Sequence, residues 1–167
     1  CVVAVHERGV ELDRTIFYPQ GGGQVGDTGV LLRANGEKIL VADTRKGEAP
    51  DSVLHVLAPA APRPEVGEPL ALEIDWERRY RHMRFHTATH LLCAVVPFPT
   101  NGCSITAGHA RLDFHMSEPL DKEALTTGIA RFVAEAHPVR QRWISESELD
   151  ANPGLVRSMR VQPPRSE

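Results

Sequence analysis

The sequence predicts an α+β protein, with a small N-terminal β-barrel-like unit over residues 1–69 and helices packed on a largely antiparallel sheet over residues 70–167. Three observations lead there. Up to residue 74, short apolar segments are separated by glycine, proline and asparagine at intervals that suit strands. A long helical stretch then opens behind Asp75 and is stopped by Pro97 and Pro99. Beyond it the order reads strand, strand, helix, strand.

Residues 2–5 and 10–17 read as strands joined at Glu7, Arg8 and Gly9, with Val10, Leu12 and Ile16 alternating against Glu11 and Asp13. Residues 28–33 and 38–42 form a hairpin turned at Ala34-Asn35-Gly36, because Asn-Gly readily takes positive φ. Residues 52–57 and 70–74 are further strands, separated by a proline-rich connector over residues 58–64. Asp75 is placed to cap the helix that runs to Val96. On it Met83, His86, His90 and Ala94 share one stripe, expected to face inward. Residues 103–106 and 111–116 are expected as strands about Ala107-Gly108-His109, and residues 121–136 as a helix with Leu125, Ile129, Phe132 and Val133 on one face. Residues 139–144 read as a strand. Two short helices follow, the second with Asn152 as cap and Pro153 at its first position.

With 167 residues and 41% hydrophobic content, the chain can bury one core or two small ones sharing an interface. No run approaches the ~20 apolar residues of a membrane-spanning helix, and no signal peptide opens the sequence. Three cysteines, Cys1, Cys93 and Cys103, do not make a disulfide framework and point to a reducing, cytoplasmic compartment. The net charge of −3 does not announce a nucleic-acid binder. The arginines nevertheless cluster: Arg78, Arg79, Arg81 and Arg84 precede the histidine pair, and Arg157, Arg160 and Arg165 lie near residue 167. Such clusters are either solvated faces or phosphate contacts, for which the guanidinium fork is well shaped.

Two stretches carry chemistry. His86 and His90 are one helical turn apart, so two imidazoles can reach one metal ion from one side, although a pair of ordinary helical histidines has the same spacing. A zinc peptidase would need glutamate after the first histidine, where Thr87 stands, so that activity is disfavoured. The second stretch is Pro19-Gln20-Gly21-Gly22-Gly23-Gln24. Three glycines permit positive φ and the close approach of a ligand or another backbone; the plain alternative is a hairpin tip. Neither nucleotide-loop spacing is present. Cys103 with His109 or His115 offers one way to complete a zinc set around the histidine pair.

Arg84-Phe85-His86-Thr87-Ala88-Thr89-His90-Leu91-Leu92 resembles the first metal motif of the alanyl-tRNA editing domain, found inside alanyl-tRNA synthetases and as free-standing AlaX-type proteins. The run from Phe17-Tyr18-Pro19 through Gly26-Asp27-Thr28-Gly29 resembles that family's glycine-rich motif, and Arg111-Leu112-Asp113-Phe114 its R-x-D-F segment. The likeness covers nearly the whole sequence and makes residues 70–167 the editing unit. It implies a zinc-dependent, ATP-independent deacylase that hydrolyses seryl-tRNA(Ala), and possible glycyl-tRNA(Ala), as a translation quality-control step. It also implies zinc on His86 and His90, with Gln24 beside them as a catalytic group. Gly21, Gly22 and Gly23 would then admit the substrate, Asn101, Ser104 and Thr106 would read its amino-acid side chain, and Arg79 and Arg84 would hold the tRNA(Ala) acceptor end. No obligatory protein partner is implied.

The family completes its zinc site with a C-x-x-x-H segment that does not follow His90 here, and Cys1 stands where a methionine would open a chain. The expectation is a partly represented chain whose remaining ligands lie past Glu167. Two readings stay open beside the free-standing deacylase: a piece of an alanyl-tRNA synthetase, and a non-catalytic tRNA-binding module with a degenerate site.

Overall fold

The structure is a computed structural model that describes residues 1–159 apart from Gln141. Six strands form one antiparallel sheet: β1 (Val2–His6), β2 (Gly9–Leu12), β3 (Gly29–Leu32), β4 (Lys38–Lys46), β5 (Val53–Leu57) and β6 (Ala71–Ile74). Their spatial order is β1-β2-β5-β4-β3-β6. The sheet is curled but not closed. β1 and β6 are its edges, yet the segment entering β6 turns back on β1: Gly67 N donates to Val2 O at 2.8 Å, and Val2 N donates to Glu68 O at 3.0 Å.

The curl encloses Val2, Val10, Phe17, Leu31, Ile39, Val41 and Leu57. These are the inward members of alternating strands, and burying each contributes about 1.5–3 kcal/mol. A bulge in β4 between Val41 and Asp43 shifts the alternation by one residue, which turns Thr44 inward. The Thr44 hydroxyl donates to Asp27 O at 2.9 Å.

Two boundaries in this sheet differ from the sequence expectation by more than a residue. β2 ends at Leu12 because the chain beyond it bonds locally rather than along a ladder. Phe17 N donates to Thr15 Oγ1 at 3.0 Å, and that hydroxyl also meets His55 Nε2 at 2.7 Å. β4 runs four residues past Ala42 because β5 supplies a partner as far as Lys46↔Val53.

The second half holds α1 (Trp76–Val95), the antiparallel pair β7 (Thr100–Ile105) and β8 (Ala110–Phe114), α2 (Lys122–Glu135), α3 (Glu146–Ala151) and a 3-10 turn at Pro153–Leu155. Asp75 caps α1 by accepting from Arg78 N at 3.0 Å, and Val96 leaves the helix in extended geometry ahead of Pro97. α2 lies against α1 where Gly128 leaves room; a Cβ there would sit 3.0 Å from Val95 methyls. Leu125, Ile129 and Phe132 are half-buried in that contact. Val133 is not: it points to solvent at 66% exposure, at the margin of the expected apolar face.

The strand expected at 139–144 does not form among its described residues, and Trp143 is fully exposed. The free edge of β7 at Thr100 is occupied instead by Ser158. Thr100 N donates to Arg157 O, and Met159 N donates to Thr100 O. Arg157 also reaches Val96 O at 3.0 Å, which ties the segment to the end of α1. Arg160 and Arg165 lie outside the described residues.

Candidate active site

The glycine-rich loop leaves the curled sheet and meets both α1 and β7. Gly21 and Gln24 exchange backbone hydrogen bonds at 3.0 Å, closing the loop on itself with Gly22 at φ +58° and Gly23 at φ +82°. Gly23 must lack a side chain, since a Cβ there would sit 2.7 Å from Cys103 O. That contact exists because the loop runs along β7: Ile105 N donates to Gly23 O at 2.8 Å, and Val25 N to Ile105 O at 3.3 Å. Gly22 is roomier. Its nearest neighbours would be Tyr18 Oη at 3.8 Å and His86 Cε1 at 4.0 Å. The close backbone approach inferred for the glycine run is therefore made by β7 at Gly23, while Gly21 and Gly22 have no atom closer than 3.8 Å to an added Cβ.

Gln24 is buried, with its side chain on α1. Its Oε1 lies 2.9 Å from His86 Nδ1, and an amide oxygen only accepts, so His86 carries its proton on Nδ1. Nε2 is left with its lone pair. Burial pushes the His86 pKa down, and neighbouring His90 adds to the shift, so the ring is held neutral. The His90 ring lies parallel to it, 5.2 Å between centroids and 8° between planes. Thr89, buried between them, donates its hydroxyl to His86 O at 2.7 Å.

The inward stripe expected on α1 is displaced. Met83, His90 and Ala94 are exposed, His86 is half-buried, and the sealed positions are His82 and Thr89. The reason is that the loop and the β7–β8 pair cover the side of α1 that passes through 82, 86 and 89, while α2 packs on the helix near Val95.

A second fastening lies about two turns earlier. Asp27, 1% exposed, accepts from Tyr18 N at 2.7 Å and from Arg79 Nε at 2.9 Å on each oxygen, with Arg79 Nη2 in closer contact still. Arg79 also donates to Ile16 O at 2.9 Å, and Arg78 to Gly26 O at 2.7 Å. Arg79, expected on a phosphate, thus has its guanidinium on the base of the glycine-rich loop. Arg81 and Arg84 are exposed and have no hydrogen-bond or ion-pair partner among the described residues.

The β7 residues divide. Ser104 is half-buried beside Cys103. Asn101 Nδ2 approaches His115 Nδ1 at 3.4 Å. The Thr106 hydroxyl accepts from His109 N at 3.1 Å and donates to His109 O at 3.0 Å, so it builds the β7–β8 turn. Burial raises the Cys103 pKa. Neither Cys103, His109 nor His115 joins the histidine pair: among the described residues no group of three His, Cys, Asp or Glu could hold a metal. The pair fits half of a tetrahedral zinc set. It offers two stacked imidazoles, one with its outer N–H anchored on Gln24, which is how ligating histidines are ordinarily oriented.

Asp27, Tyr18, Thr89 and His82 were not singled out by sequence reasoning. Asp27 and Tyr18 lie within the glycine-rich motif, and His82 lies one turn before His86 on the same stripe, so spacing alone could have raised them.

Residues 1–78 match the sequence model of the class II (A) tRNA synthetases. The chain is 35% identical to an alanine–tRNA ligase of Aeropyrum pernix over 164 residues, which is 93% of this chain and 18% of the ligase. It is 42% identical to the alanyl-tRNA editing protein AlaX-M of Saccharolobus solfataricus over 108 residues, covering 65% of this chain and 44% of that protein. The chain is homologous to these alanyl-tRNA proteins. A Sulfurisphaera tokodaii alanine–tRNA ligase is 44% identical over 94 residues, 10% of its length. The chain therefore spans less than half of each of these relatives. The family model takes in the glycine-rich loop, Asp27 and Arg78 but ends before His86, so loop and histidines are joined by geometry rather than by that match.

Proposed function

We propose that the protein hydrolyses the ester of mischarged tRNA(Ala), removing serine, and glycine as a second substrate, in a quality-control step of translation. The observation that carries this is the Gln24–His86 contact, which brings a glycine loop exposed at Gly22 against a pair of imidazoles with an unprotonated Nε2. The names of the editing and ligase relatives support the choice of tRNA(Ala).

In this reading the aminoacyl ester lies between Gly22 and the histidine pair. Gln24, its Oε1 occupied by His86, presents its NH2 to the substrate's oxygens and stabilises charge developing on the carbonyl. Water adds to the acyl carbon, the C–O bond to the ribose breaks, and the ribose oxygen takes a proton as amino acid leaves. His86 and His90 would hold a zinc ion, which when bound supplies positive charge to orient and polarise water or ester. The Nδ1–H of His86 stays on Gln24, which fixes the ring plane. Ser104 and Asn101 on β7 would read the serine hydroxyl, and a site that hydrogen-bonds that hydroxyl leaves polar groups unpaired when alanine enters.

The test is deacylation of seryl-, glycyl- and alanyl-tRNA(Ala) by the full-length protein, with metal analysis of the same preparation. The expected result is hydrolysis of the seryl ester, little loss of the alanyl ester, and zinc that is lost in His86→Ala and His90→Ala. Gln24→Ala should lower kcat by roughly a hundredfold, as removal of an oxyanion donor does. The second reading, a tRNA-binding module without catalysis, draws on the lack of a third metal donor among the described residues. Tight tRNA binding with no cleavage of any ester would select it.

A further inference from the structure

α1 projects an aromatic face that nothing in the site uses. Trp76 is 58% exposed and Tyr80 50% exposed, and their rings stack at 6.2 Å with 24° between planes. Met83, 45% exposed, continues the row. The spacing 76, 80, 83, 87, 90 keeps these positions on one side of the helix, so the row ends at the exposed ring of His90. Arg84 borders the row and Arg81 lies farther round the same side of the helix, both without partners among the described residues, and Glu77 is the single carboxylate on α1.

We infer that this face is a stacking platform for the unpaired bases of an RNA 3′ end. Large apolar rings held open to water beside unpaired guanidinium groups suit a ligand that is planar, apolar on its faces and polyanionic along its backbone, which describes single-stranded RNA. A protein partner would call for a continuous apolar patch rather than a narrow row edged with free cations. Distance along the helix agrees. Tyr80 and Trp76 lie about 9 and 15 Å before His86 along the axis, or roughly three and four nucleotides at a stacked rise near 3.4 Å. The ester-bearing nucleotide then sits at the histidine pair, and bases upstream of it stack on Tyr80 and Trp76 while Arg81 and Arg84 meet their phosphates.

This inference rests on the deacylase reading for its polarity but is tested by binding, so the two can fail separately. The probe is an uncharged RNA pentanucleotide ending in CCA, against a blunt-ended RNA duplex, titrated into the 167-residue chain in the Trp143→Phe background, where Trp76 is the one tryptophan left. The expected result is quenching by the pentanucleotide and not by the duplex. Read by the anisotropy of a 5′-labelled pentanucleotide, because Trp76 is itself the fluorophore in the quenching assay, Trp76→Ala and Tyr80→Ala should each weaken binding roughly 5- to 100-fold. Trp76→Phe and Tyr80→Phe, which keep a ring, should restore most of it, and the loss in the alanine variants should persist at high salt. Unchanged affinity in both alanine variants overturns the platform, whether or not seryl-tRNA is cleaved. So does a concentration-dependent dimer in sedimentation that dissociates in Trp76→Ala, since the face would then pair two copies. Normal binding with no ester cleavage leaves the platform standing and removes the deacylase.

Discussion

Gly22 and Gly23 are adjacent, and both have positive φ, but they answer to different constraints. A Cβ at Gly22 would make only ordinary van der Waals contacts with Tyr18 and His86, so Gly22→Ala incurs little beyond the left-handed backbone strain of about 1–2 kcal/mol. Gly23→Ala adds a Cβ 2.7 Å from Cys103 O and must separate the loop from β7. The expected order in urea midpoint is wild type, then Gly22→Ala, then Gly23→Ala with the larger loss; equal losses would mean the loop does not lie on β7. His82 supplies a contrary case. It is fully buried with neither ring nitrogen hydrogen-bonded, and burial, then the Arg78 charge, disfavours its protonated form. Removing an unsatisfied buried polar group recovers about 1–3 kcal/mol. His82→Leu should therefore raise the urea midpoint, an outcome unusual for a core substitution. His55 gives the pH dependence. Burial lowers its folded-state pKa below the ordinary histidine value of about 6.5, so the unfolded chain binds the proton first as pH falls. Its stabilisation is complete above about pH 6.5 and is lost toward the lower folded pKa. Midpoints at pH 7.5 and 5.5 should differ in that direction, and His55→Leu should shrink the difference.

At the scale of elements, the glycine-rich loop is fastened to α1 at two places. Asp27 and Arg79 close its base, and Gln24 and His86 join its tip. Two contacts about two helical turns apart define the loop's orientation as well as its distance, which a single contact would not. Asp27→Asn leaves the Arg79 guanidinium, 18% exposed at its side chain, without its counter-charge. Breaking one partner of a buried pair costs about 3 kcal/mol or more. The substitution should lower stability by that order and also disturb the tip. The nitrogen chemical shifts of the His86 ring should move toward a mixture of tautomers, although Asp27 never touches that ring. Unchanged shifts with lowered stability would confine Asp27 to the loop's base. The Asp75 cap is a simpler element, where Asp75→Ala should cost about 1 kcal/mol.

For the whole molecule, the candidate site belongs to neither sheet alone. The loop comes from the six-stranded sheet, the histidines from α1, and the backbone that seats the loop from β7. Ionic strength should therefore act on substrate capture more than on chemistry. Of the four clustered arginines on α1, Arg78 and Arg79 are bound to the loop, which leaves Arg81 and Arg84 for phosphates. Two contacts predict a shallow dependence of affinity on salt, with a log–log slope near −1.4 for single-stranded RNA, about 0.7 for each phosphate. Arg84→Gln should halve the slope and raise KM with little change in kcat, because a phosphate contact exists in ground and transition states alike. Arg79→Gln should behave differently and lower kcat through the loop.

The sequence by itself determined the succession of strands and helices, since alternation, the Asn-Gly turn, the Asp75 cap and the Pro97 stop act over a few residues. It also singled out the glycine run and the histidine pair, whose types and spacing are local. Only the tertiary structure decided which glycine is confined, which arginines are free and which side of α1 is covered. Each of those depends on a neighbour far along the chain: Gly23 on Cys103, Arg79 on Asp27, and the buried side of α1 on a loop some sixty residues earlier. The strand expected at 139–144 fails for the same reason. An apolar, β-branched segment becomes a strand only where an edge is free, and the β7 edge at Thr100 is already held by Ser158.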